Sequence, residues 1–211
     1  MSTKYYIMVI DVMQDRQKRW QQGIEQGRRI TDARGQPIDP DILETVVVFN
    51  LLSVQTTSSC EGHPDRGCPY PWIAVGFFED DPEIADDLKS WNNLHDQINT
   101  LRIAGKTLIE VSSLFHEASQ IRDRLLAITL KTLTPLYEYL DAFYADYHSS
   151  YDRHLVLDTN NIGLAGSCLL KPQGANFQEA RSLDVQQVKL AEYQQEMQAF
   201  TAFLKEQFFQ Q

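Results

Sequence analysis

Seven residues, Leu126, Leu130, Leu133, Tyr137, Leu140, Tyr144 and Tyr147, are separated by alternating steps of four and three. That spacing places them on one face of a helix that packs along another helix, so the middle of the chain is committed to helical packing. Two further stripes agree. Ile84, Leu88, Trp91, Leu94, Ile98 and Leu101 step by three or four, and Leu190, Tyr193, Met197, Phe200, Leu204 and Phe208 mark a final amphipathic helix. Pro135 is expected to kink or split the central helix. Each stripe, its tyrosines and Met197 included, reads as core packing.

The flanking segments supply strands. Tyr6, Val9, Ile10, Met13, Trp20 and Ile24 recur at near-helical spacing, which predicts a helix from Lys4 to about Gly27, although Tyr5 to Ile10 alone fits a strand. Arg34-Gly35-Gln36-Pro37 is a turn. Asp39-Pro40 then reads as a helix cap followed by a first-position proline, with Asp41 and Glu44 at the positive end of a helix running to about Leu52. Gln55 to Ser59 is extended, a loop runs to Pro71, and Trp72 to Phe78 is apolar on both faces, as a central strand is. Glu79-Asp80-Asp81-Pro82 closes it. Leu155 to Leu157 and Ile162 to Leu170 form a hairpin around Thr159-Asn160-Asn161. The sum predicts an α/β (α+β) fold with a mixed sheet. It is one domain over 1–211, with a helical insertion at 83–147 and a hairpin plus C-terminal helix at 154–211.

The chain has 211 residues, 43% hydrophobic and 23% charged, ample for a core, and no segment reaches the apolar length of a membrane span. Residues 1–13 carry an apolar patch without a small-residue cleavage site, and basic residues follow that segment, the wrong order for a signal peptide, so a cytoplasmic location without membrane contact is expected. Three cysteines fit reduced thiols better than a disulfide framework, and Cys168 reads as a small buried hydrophobe. The net charge of -10 argues against a general nucleic-acid coat. Residues 1–38 nevertheless carry seven basic against four acidic residues, a net of +3, leaving -13 on the remainder. That basic segment would steer a phosphate-bearing ligand or RNA toward a nearby site; the plainer alternative is a solvated helix face.

The chemistry concentrates in Thr56-Thr57-Ser58-Ser59-Cys60-Glu61-Gly62-His63. Thr56, Thr57, Ser58 and Ser59 offer hydroxyls and backbone N–H groups, and Gly62 can take a positive φ, so the segment is a candidate anion-receiving nest for a small-molecule or nucleoside ligand. The same hydroxyls equally suit the capping of backbone groups in a tight turn. Cys60 is a candidate nucleophile if His63 lowers its pKa, an effect that Glu61 opposes; Glu61 or His63 is the candidate base. A metal alternative rests on Cys60-x2-His63-x4-Cys68, three zinc-type ligands whose fourth partner would come from Asp65, His95, His154 or Cys168. Gly105-Lys106-Thr107 is not a P-loop, because Thr100 stands five residues before Gly105, and no dinucleotide-binding or hydrolase-elbow motif occurs.

The order Asp32 to Gly35, Ile38-Asp39, a helix ending at Asn50, then Thr56-Thr57-Ser58-Ser59-Cys60-x-Gly62 resembles the wybutosine-synthesis tRNA methyltransferases over roughly residues 30–78. It is also similar to small bacterial proteins with a Ser-Cys-x-Gly-His loop. The first resemblance implies an α/β fold, S-adenosylmethionine as donor and methyl transfer to a modified guanosine in tRNA. Glu61 replaces a serine of that family's loop and His63 an arginine. Two readings follow. One is a ligand-binding methyltransferase using the 56–63 loop. The other is a noncatalytic zinc-binding or protein-interaction domain whose long helices recruit a partner or a second copy, as a homodimer.

Overall fold

The computed structural model describes residues 3–32, 35–65, 67–76, 82, 84–158, 168–178 and 180–210, with side chains from residue 14 onward except at 132. In chain order these form α1 (Thr3–Gly27), α2 (Pro40–Leu51), β1 (Thr56–Cys60), β2 (Trp72–Val75), α3 (Ala85–Ile103), α4 (Ser112–Asp146), β3 (Leu155–Asp158), β4 (Cys168–Pro172) and α5 (Leu183–Gln210). The first segment is helix throughout, not strand. The predicted 159–161 turn, residues 162–167 and residues 77–81 lie outside the described set.

The sheet has the order β1-β2-β4-β3, and all of its pairings are antiparallel. The expected mixed sheet is thus corrected, and the fold is α+β. The reason is local. β1 and β2 are consecutive in the chain, as are β3 and β4, and among the described residues no helix separates either pair, the arrangement in which strands pair antiparallel. The two hairpins meet where β2 pairs with β4, so those strands are central. Ile73, Val75, Cys168 and Leu170 there are fully buried, while the hydroxyl-rich β1 takes an edge.

The main core joins these strands to Ile42, Val48 and Phe49 of α2, Leu133 to Phe143 of α4, and Met197, Phe200, Leu204 and Phe208 of α5. Helix α4 runs unbroken through Pro135 for 35 residues, so the expected split does not occur. Its two halves serve different cores. The first half pairs with α3 in a helical arm that has its own cluster, including Leu88, Leu94, Ile98, Ile121 and Leu125. At the arm's tip Ile103 and Ile109 are 89% and 85% exposed. The buried seam of α4 runs through Leu125, Thr129, Leu133, Leu136, Leu140 and Phe143, which leaves the predicted stripe members Leu130 and Tyr137 each 38% exposed. Thr129 conceals the seam in the sequence. It is polar yet fully buried, because its hydroxyl donates to the Leu125 carbonyl at 2.9 Å. The α5 stripe is buried as predicted. Among the described residues no helix is long and apolar enough to cross a membrane.

Helix α2 lies against β1 and is fastened at both ends. Twelve helical residues span about 18 Å and five strand residues about 17 Å, so the two elements match in length. At one end Asn50 Nδ2 donates to Thr56 Oγ1 at 2.7 Å. The fastening at the other end builds the candidate site.

Candidate metal centre

The proline at the first position of α2 is where the sequence places it, and Asp39 stands at the cap, but its side chain does not bond the helix. Instead Asp39 Oδ2 accepts the Glu61 N–H at 3.1 Å, and Glu61 Oε2 accepts the Asp41 N–H at 3.0 Å. The carboxylates have exchanged duties: the loop residue caps the helix, and the helix-cap residue holds the loop. Glu61 is further fixed by Gln194 Nε2, which donates to its carbonyl at 3.0 Å.

Gly62 turns the chain after β1 with φ +92°. A side chain here would meet Leu190 at 2.5 Å and the Tyr70 and Pro71 backbone at 2.7 and 3.0 Å, so the position requires glycine for space as well as for φ. The turn brings His63 Nε2 to 3.4 Å from Asp39 Oδ2, with side chains only 19% and 28% exposed. The His63 N–H donates to the Cys68 carbonyl at 2.8 Å, which closes the loop on itself. Cys60, at the end of β1, accepts the Gly62 N–H on its sulfur at 3.4 Å. One ligand atom each from Asp39, Cys60 and His63 thus lies within 4.8 Å of the others.

Burial is the main influence on the Cys60 thiol and pushes its pKa up. The Gly62 N–H acts the other way, while the charges of Asp39 and Cys68 and a hydrogen bond to Asp39 push it up further. As a lone group Cys60 is therefore a neutral thiol near pH 7, the opposite of what a nucleophile needs. Glu61, the other candidate for chemistry, has its carboxylate on a helix N-terminus. Thr56, Thr57, Ser58 and Ser59 lie in extended β1, whose register shifts between Thr56 and Ser58, so they do not curl into the expected nest. Thr56 is held by Asn50.

Of the sequence candidates for a metal, Cys60 and His63 come together, while Cys68, on the same loop, lies outside the cluster. The proposed sources of a fourth ligand do not join them. Asp65 is exposed, Cys168 is buried in β4, His95 stacks on Trp91 at 3.7 Å, and His154 stacks on Tyr144 at 4.3 Å. The residue that does join is Asp39, which the sequence presents as a helix cap. A cap aspartate followed by proline carries no sign that its carboxylate is free for another partner, so only the tertiary pairing of α2 with β1 reveals it. Part of the basic N-terminal segment is also committed to packing: Arg16 donates to the Phe209 carbonyl at 2.9 Å, and Arg19 lies over the Phe208 ring.

No protein-family model, curated protein or solved structure matches the chain.

Proposed function

We propose that this chain is a noncatalytic metal-binding protein in which Asp39, Cys60, His63 and Cys68 hold a zinc ion that ties the start of α2 to the loop between β1 and β2. The observation that carries this reading is the approach of a carboxylate oxygen, a thiol sulfur and an imidazole nitrogen, from two separate segments, to within 4.8 Å. Zinc takes all three donor types, and a structural site closes with a fourth ligand. Cys68 supplies it in this reading, since its carbonyl already fixes His63 and its charge bears on Cys60. A bound zinc ion would supply positive charge that favours both thiolates and would crosslink the two segments. The neutral Cys60 thiol and the capped Glu61 carboxylate support a structural role over catalysis. Methyl transfer from S-adenosylmethionine draws on no comparable feature of the site.

Native mass spectrometry of the metal-stripped, reduced protein with added zinc tests the reading. One zinc per chain is expected, with affinity lowered about tenfold or more in Asp39→Asn, Cys60→Ser and His63→Asn. A chain that takes up no zinc, or variants that bind it as the parent does, would refute it.

The arm tip favours a second element of this reading, association with another copy of the chain. Ile103, Leu108 and Ile109 are 89%, 63% and 85% exposed at one helix connection, an apolar concentration unusual for a lone surface. Light scattering over a concentration series checks it. A mass independent of concentration would remove it.

A further inference from the structure

An open cleft of about 400 Å3 lies where the end of α1 meets the start of α2. Its walls are Ile24 of α1, Pro37 and Ile38 of the connecting segment, and Pro40 and Leu43 of α2; Arg28 and Glu44 supply its charge. Its volume falls within the range of about 300–1,000 Å3 usual for small-ligand sites.

The walls are held in place before any ligand arrives. A Cβ on Gly27 would stand 2.7 Å from Leu43 Cδ1, so glycine lets α1 and α2 touch directly. A bridge between Thr31 and Pro37 fastens the connecting turn, and Gln36 N–H donates to Asp32 Oδ1 at 2.8 Å. Ordering the site therefore costs little on binding.

The two charges are not equivalent. Glu44 Oε2 is engaged by Lys205 Nζ at 2.7 Å, so its charge is matched by a cation from α5. The Arg28 guanidinium makes no hydrogen bond or ion pair among the described residues. The unmatched charge beside an apolar wall is thus positive, and a guanidinium recognises a planar carboxylate through two parallel hydrogen bonds.

We propose that this cleft binds a small amphipathic anion, a carboxylate on a short aliphatic tail, with the carboxylate on Arg28 and the tail along Ile24, Ile38 and Leu43. The cleft uses none of the side chains assigned to the proposed metal centre, although its walls Ile38 and Pro40 flank Asp39. Arg28 is exposed at the end of α1, so its replacement leaves the core intact.

Octanoate is the test probe, titrated into the full-length protein by isothermal calorimetry, with amide NMR shifts to locate it. Saturable binding is expected, with shifts centred on Ile24, Ile38 and Leu43. Arg28→Gln, or the uncharged probe octanamide, should weaken binding by about ten- to a hundredfold, the loss of a charge-assisted hydrogen bond. Butyrate should bind more weakly than octanoate for want of apolar area. Absence of octanoate binding, equal affinity for octanamide, or unchanged affinity in Arg28→Gln would overturn the proposal. Butyrate binding as tightly as octanoate would overturn the role given to the apolar wall.

Discussion

Replacing Gly62 by alanine probes the turn on which the proposed metal centre depends. Two penalties are expected. The first is conformational: at φ +92° an L-residue sits in the left-handed region, at about 1–2 kcal/mol. The second is steric. The new Cβ would stand 2.5 Å from Leu190 Cδ1, 2.7 Å from the Tyr70 carbonyl carbon and 3.0 Å from Pro71 N. Leu190 can rotate, but two of the three neighbours are backbone and must shift together, which adds about 1–3 kcal/mol. The total is about 2–5 kcal/mol, a large share of the roughly 5–15 kcal/mol that holds a domain folded. Gly35 and Gly67 provide the controls, because their φ values of +76° and +77° are equally left-handed while none of the described residues lies within 4 Å of where a Cβ would stand. Their alanine variants should show the conformational penalty alone. Urea unfolding monitored by fluorescence gives the comparison directly, provided the slope with denaturant is unchanged. If Gly62→Ala costs no more than Gly67→Ala, the close packing of the turn against Leu190 and Tyr70–Pro71 is wrong.

Other perturbations address the supporting structure. Tyr144→Phe removes a hydroxyl that accepts the Leu155 N–H at 2.6 Å and donates to the fully buried Glu196 at 3.0 Å; a loss of about 1–3 kcal/mol in urea unfolding is expected, and one below about 0.5 kcal/mol would contradict it. Burial, and secondarily Asp158, push the Cys168 thiol from the ordinary 9.0 up to about 11. The folded state thus holds that proton more tightly than the unfolded chain, so the associated stability is complete below pH 9.0 and is lost as pH rises toward about 11. Thermal melts across that window should fall less steeply in Cys168→Ala; an unchanged slope would remove Cys168 as the cause. In the native protein Ellman's reagent should label the partly exposed Cys60 and Cys68 before the buried Cys168, which reacts on unfolding. Labelling of Cys168 at the same rate would show that β4 opens.

Much of the fold is legible because apolar periodicity reports burial directly. The α5 stripe from Leu190 to Phe208 is the buried face, and Asp39-Pro40 marks the start of α2. Reading fails where burial and polarity part company. Thr129 hides the α4 seam because a backbone carbonyl satisfies its hydroxyl, and Pro135 leaves the helix whole within a packed core. In the site, Gly62 and the extended course up to Ser59 are legible locally. The Asp39–Glu61 exchange is not, since it depends on α2 and β1 having equal lengths and lying side by side. The hydroxyl row misleads for a related reason: its residues are drawn out as a strand paired with β2, whatever their side-chain chemistry suggests.

The most direct test of the account is a calorimetric titration of zinc into the metal-stripped, reduced protein at two pH values one unit apart. Because burial holds the Cys60 thiol protonated and zinc binds thiolates, the metal must displace a proton as it enters. Affinity should rise by about tenfold per pH unit for each proton displaced, with protons released to the buffer as zinc binds. Binding that is absent, or that persists with no proton release and no dependence on pH, would contradict a zinc centre built on these thiols.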